Sequence, residues 1–151
     1  MKLYDVTTQR LGLRKWVDTD LEPFAKMNRD KDVMKFFPAL LSENDTIGMI
    51  KRIKTHFDKN GFGLFAVDKI ATGNFIGFTG FSIPTFESSF TPCVEIGWRY
   101  KKDAWGQGFA TEAAMACLHY GFDVLHFEKV VSFTSAFNTN SEKVMKRIGM
   151  E

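Results

Sequence analysis

The segment Trp105-Gly106-Gln107-Gly108-Phe109-Ala110-Thr111 constrains this chain more than any other stretch of its 151 residues. Before it stand the strand formers Val94, Ile96, Trp98 and Tyr100, within an expected strand over 93–100. After it, Phe109, Ala113, Ala116, Tyr120 and Val124 recur at helical spacing and predict a helix with that apolar face. Glycines at a strand-to-helix junction let backbone N–H groups converge on one point at a helix N-terminus, which suits an anion such as phosphate.

Two nucleotide-binding readings fail against the letters. A P-loop needs G-x-x-x-x-G-K-[ST], and neither the Lys nor the Ser/Thr is present here, which excludes an ATPase or kinase of that type. The dinucleotide fingerprint G-x-G-x-x-G matches only in Gly106 and Gly108, with Thr111 at the third glycine. Its acidic residue, about 20 positions on, would be Glu128, which begins the next strand instead of ending it. A glycine turn can also merely shape the chain, with Gln107 as a helix cap, so the rest of the sequence must decide.

Leu11 and Leu13, followed by Lys15-Trp16, read as a first strand, and Asp18-Thr19-Asp20 offers caps for a helix over 21–29. Ser42 with Asp45 three residues on resembles a capping box ahead of Ile47, Ile50, Ile53 and Phe57, a second helix that ends near Asn60-Gly61. Residues 62–67 and 75–83 form an expected antiparallel hairpin around 68–74, and 84–92 is a loop. A strand over 129–136 and a helix over 141–148, capped by Gly149, complete the order β, α, α, β, β, β, α, β, α. No repeat or linker divides 1–151, so we expect a single α/β domain with one mixed sheet. The strand before the glycine turn and the strand at 129–136 should run parallel.

Composition narrows the partners. Sixteen Phe, three Trp and three Tyr predict an aromatic core. A net charge of +2, scattered along the chain, gives no reason to expect nucleic acid or a membrane surface, so an anionic ligand must be held locally. Cys93 and Cys117 lack C-x-x-C spacing and His56, His119 and His126 are dispersed, so neither a disulfide framework nor a metal site is expected. No secretory signal or run of about 20 apolar residues is visible, and the expected location is cytoplasmic.

Four segments together resemble the GNAT acetyltransferases, especially the Rim-type branch that acetylates N-termini of ribosomal proteins. Thr8-Gln9-Arg10-Leu11-Gly12-Leu13-Arg14 resembles the opening T-x-R-L-x-L-R strand, and Asp32-Val33-Met34-Lys35-Phe36-Phe37 resembles D-x-V-M-x-F. Glu95-Ile96-Gly97-Trp98 with Trp105 to Ala113 resembles the signature strand, pyrophosphate loop and helix. Asn138 and Ser141 with Gly149-Met150 resemble the last motif. The resemblance implies a GNAT-type mixed, partly antiparallel sheet flanked by helices. It also implies a C-terminally short domain, because the family continues with two more strands, roughly 20 to 35 residues. The edge of the strand at 129–136 would then recruit a second copy, giving a homodimer.

The same resemblance implies acetyl-CoA as donor, without a metal, and an amine acceptor. Backbone of Trp98, Arg99 and Tyr100 on a splayed strand would hold the pantetheine arm. Trp105, Gly106, Gln107, Gly108, Phe109, Ala110 and Thr111 would hold the pyrophosphate, and Asn138 the arm, unless Asn138 only forms a loop. Ser141 would donate a proton to sulfur or serve as a helix N-cap. Glu95 is the base candidate, or else the partner of Arg99, and Glu112 is structural. The expected acceptor is a protein or peptide N-terminal α-amine. The alternatives are a small amine (polyamine, amino sugar or amino acid) and a non-catalytic acyl-CoA-binding module.

Overall fold

Period-two and helical apolar patterns give the chain faces that must be covered, and one sheet with helices covers them. The computed structural model describes residues 3–37, 39–83, 93–132 and 139–150. Strands β1 Val6–Thr7, β2 Leu11–Arg14, β3 Leu64–Lys69, β4 Asn74–Ser82, β5 Val94–Tyr100 and β6 Val130–Val131 form one sheet in chain order. Neighbours are antiparallel except β5 and β6, which run parallel as expected. Helices α1 Leu21–Asn28, α2 Glu43–Asn60, α3 Phe109–Asp123 and α4 Thr139–Arg147 complete the mixed α/β architecture.

The expected capping box starts α2: Asp45 N donates to Ser42 Oγ at 3.1 Å and Ser42 N to Asp45 Oδ2 at 3.0 Å. The expected caps of α1 are instead a 3₁₀ turn over Asp18–Asp20. Asp20 is diverted there by Arg14, which donates to Asp20 Oδ2 at 2.8 Å and to Asp68 Oδ2 and Oδ1 at 2.8 Å each. Burial works against this charge, but the two carboxylates outweigh it and raise the guanidinium pKa. The three side chains tie β2, β3 and the entry to α1 together inside the core.

Aromatic packing fills that core. Trp16, Phe24, Phe75 and Phe78 lie with ring centroids 4.7 to 6.0 Å apart. Phe24, Phe65 and Phe81 are fully buried, each adding about 1.5–3 kcal/mol by burial. The α3 face differs from expectation. Phe109, Ala113, Ala114, Cys117, Leu118 and Gly121 are buried, while Ala116 and Tyr120 are only partly covered and Val124 is 57% exposed. Small side chains set this rotation: a Cβ at Gly121 would come 2.8 Å from the Phe81 ring, so the helix beds closely on β4 there.

Opposed residues on β4 and β5 define two sheet faces. Phe78 lies opposite Arg99, and both face α1, through Phe24 and Asn28. Thr79 lies opposite Trp98 on the other face, where Thr79 Oγ1 bonds the Tyr100 hydroxyl near Cys117 of α3. Among the described residues no helix is long and apolar enough to cross a membrane, and no three His, Cys, Asp or Glu form a group that could hold a metal. The expected loop 84–92 and the second half of the expected strand 129–136 lie outside the described residues.

Candidate active site

The site is built where β5 parts from β6. The two strands pair only at Val94 with Val130 and Glu95 with Val131, and Ser132 Oγ donates to Ile96 O at 3.0 Å. From Gly97 to Tyr100 that edge of β5 has no strand partner among the described residues. A cleft of about 620 Å³ wraps this edge, walled by Trp98, Arg99 and Tyr100. Trp105, Gly106, Gly108, Phe109, Ala110 and Thr111 form its second wall. Ser141, Lys143, Val144 and Arg147 of α4 form the third, and Asp32, Val33, Phe36 and Phe37 the fourth.

Gly106 and Gly108 adopt φ of +76° and +81°, the left-handed region in which a side chain is strained. Gly108 immediately precedes α3, so the first-turn N–H groups of that helix have no intrahelical partner. Thr111 Oγ1, in the same turn, is buried and has no hydrogen-bond partner among the described residues. Lys143 and Arg147 stand one helical turn apart on α4 and form no ion pair among the described residues. Asp32 is paired with Lys102. The cleft therefore carries uncompensated positive charge beside a helix N-terminus, the complement of a phosphate group.

Trp105 Nε1 donates to Tyr100 O at 2.9 Å, which fastens the start of the turn to the end of β5. Gln107 is not in the cleft wall, because its Nε2 donates to Asp103 O at 3.1 Å and folds the side chain back on the preceding 3₁₀ turn. Glu112 is held by Thr8 Oγ1 and by Arg10, whose N and Nε donate at 3.1 and 2.7 Å. Burial raises its pKa, but these bonds outweigh that and hold the carboxyl below its ordinary range.

Glu95 lies on β5 outside the cleft wall, half-buried, with no hydrogen bond or ion pair among the described residues. Burial alone pushes its carboxyl upward. Arg99 is not its partner: Arg99 Nη1 donates to Asn28 Oδ1 at 2.7 Å, and the guanidinium lies 4.4 Å from the Phe37 ring centroid. Ser141 is in the cleft wall, in the first turn of α4. Asn138 lies outside the described residues. Lys143, Arg147 and the Arg99 side chain were not singled out by sequence reasoning. Two cations four apart on a short helix, and an arginine on an apolar strand, were the available signals.

A family model described as acetyltransferase (GNAT) domain matches residues 10–151. The chain belongs to the GNAT acetyltransferase family. It is 31% identical to the protein YkkB of Bacillus subtilis (strain 168), over 96% of this chain and 84% of that protein. It is also 31% identical to an FsC-acetyl coenzyme A-N(2)-transacetylase of Aspergillus fumigatus, over 83% of this chain and 55% of that one. The crystal structure of a GNAT-family acetyltransferase from Bacillus anthracis superposes with a TM-score of 0.79 at 30% identity, covering 97% of this chain and 82% of that one. Membership makes the chain an acetyl-CoA-dependent N-acetyltransferase.

Proposed function

We propose that this acetyltransferase moves the acetyl group of acetyl-CoA onto a peptide or protein N-terminal α-amine by direct attack on the thioester. The observation that carries the donor half is Thr111 Oγ1, a buried hydroxyl without a partner among the described residues, next to the first-turn amides of α3 and the cations Lys143 and Arg147. A pyrophosphate supplies the oxygens these donors lack. Gly106 and Gly108 let the backbone come close, while Trp98, Arg99 and Tyr100 offer β5 backbone to the pantetheine arm.

Acetyl-CoA supplies an activated acetyl thioester. Glu95, without a side-chain partner among the described residues and raised in pKa by burial, takes a proton from the amine, directly or through water. Ser141 returns a proton where the sulfur leaves, and Asn138 steadies the arm. The resemblance of residues 8–14 and 32–37 to the Rim-type branch supports a peptide α-amine, and Asp32, Val33, Phe36 and Phe37 line the cleft beside it.

A small amine is the second reading, since a spermidine N-acetyltransferase of Vibrio cholerae shares the fold, with a TM-score of 0.74 at 20% identity. The test is thiol release from acetyl-CoA with N-terminal peptides and small amines in parallel. Turnover on peptides alone supports the first reading and turnover on small amines alone the second, while donor binding without turnover makes the chain an acyl-CoA-binding module.

A homodimer through the outer edge of β6, which pairs on one side only among the described residues, completes the proposal. Light scattering should give twice the 17.2 kDa chain mass, and a stable monomer contradicts it.

A further inference from the structure

Arg99 is a largely buried cation with little to neutralise it. Its guanidinium lies 4.4 Å from the Phe37 centroid and 5.2 Å from that of Phe78, and among the described residues it donates only to the neutral Asn28 Oδ1, at 2.7 Å. Nε is buried without a partner, and no carboxylate pairs with the group among the described residues. Burial pushes its pKa down to about 10. A guanidinium in such surroundings is costly until an anion joins it. Asn28 is committed as well, since its Nδ2 donates to Thr46 Oγ1 at 3.2 Å, so the pair is held in place before any ligand arrives.

The two sides of β5 distinguish the source of that anion. Trp98 and Tyr100 point to the α3 face, while Arg99 points to the α1 face with Glu95 and Gly97. The cations Lys143 and Arg147 and the glycine turn line the part of the cleft proposed above for the donor phosphates. Between Glu95 and Arg99 the strand is bare. A Cβ at Gly97 would meet only Glu95 Oε1, at 3.7 Å, among the described residues. Four residues of strand rise separate the carboxylate from the guanidinium, about 13 Å of backbone. Glu95 Oε1 already reaches over Gly97, two residues short of Arg99, so about 7 Å of strand rise remains, which matches an amine and an anion two to three extended residues apart, roughly 7–10 Å.

We propose that the Arg99 guanidinium receives a carboxylate of the acceptor, so that the enzyme selects short acidic peptides whose carboxylate lies two to three residues from the reacting α-amine. This rests on acetyl transfer to an amine at the Glu95 face. The closing experiment separates the two claims by measuring binding apart from turnover.

Trialanine and its C-terminal amide, and the amides of Ala-Ala-Glu and Ala-Ala-Gln, are titrated calorimetrically into the protein saturated with CoA. The acid of each pair should bind about tenfold tighter or more. In Arg99→Gln that ratio should fall to about one, and Arg99→Lys should restore part of it. Equal binding of acid and neutral forms, no binding of either acid, or an acid preference that survives Arg99→Gln overturns the proposal. So does a loss of acetyl-CoA affinity in Arg99→Gln when the wild type has no acid preference, because the anion is then the donor's. The wild-type comparison stands even if a variant fails to fold. Thiol release on the same peptides tests transfer: an intact acid preference without turnover keeps Arg99 as the anion receptor and removes the transfer reading.

Discussion

Glu112 Oε1 accepts a hydrogen bond from Arg10 Nε at 2.7 Å, and so fastens the first turn of α3 to the chain entering β2. The same carboxylate takes the Arg10 backbone N–H at 3.1 Å and the Thr8 hydroxyl. The helix start that borders the cleft is thereby held by residues about a hundred positions earlier in the chain.

Glu112→Gln removes the charge from this junction and should cost about 1 kcal/mol of stability at neutral pH. Thr8 and Arg10 lower the folded pKa, so the stabilisation is fully present above the unfolded carboxyl value, about 4.3, and disappears as pH falls through the lower folded value. Thermal melts of both proteins across the acid range should therefore converge at low pH. A gap that stays constant to the lowest pH contradicts the assignment.

Glu95 behaves in the opposite sense. Burial raises its folded pKa, so its contribution to stability is greatest below the unfolded value and is lost as pH rises through the folded one. At neutral pH the ionised carboxylate is unfavourable, and Glu95→Gln should melt higher than the wild type there. As the base, Glu95 acts only when ionised, so the acid limb of the rate profile should lie above the ordinary carboxylate range. The substitution should reduce turnover about a hundredfold. A Glu95→Gln enzyme with normal turnover and an unchanged acid limb removes Glu95 from the chemistry.

Ser141→Ala tests the proton donor. Turnover should fall by up to about a hundredfold while acetyl-CoA affinity stays near that of the wild type. The N-cap role expected of Ser141 is ruled out because α4 begins at Thr139, two residues earlier, so normal turnover with a lowered melting temperature would make Ser141 a structural residue of the first turn instead.

Much of this arrangement is legible from local chemistry. The Ser42–Asp45 box, the hairpin strands and the glycine turn follow from residues within a few positions of one another. What escaped the sequence depends on distant partners. Asp20 reads as a helix cap until Arg14 claims it, and the α3 face turns because Gly121 admits the Phe81 ring. At the site, the turn was visible, but the side chain of Arg99 gained meaning only when Asn28 and Phe37 closed around it. Gln107 reads as a phosphate ligand or as a cap of the following helix, whereas its bond to Asp103 O turns the side chain back onto the preceding 3₁₀ turn, and α3 has no side-chain cap.

The central claim is that the donor seats on the glycine turn at the start of α3. Gly108 holds φ of +81°, and a β-branched side chain there is strained and crowds the approach to the first-turn amides. Calorimetric titration of acetyl-CoA into the wild type and a folded Gly108→Val protein is the most direct measurement. The account predicts that the wild type binds and that the variant loses at least about tenfold in affinity. Equal affinity in the two proteins would contradict it.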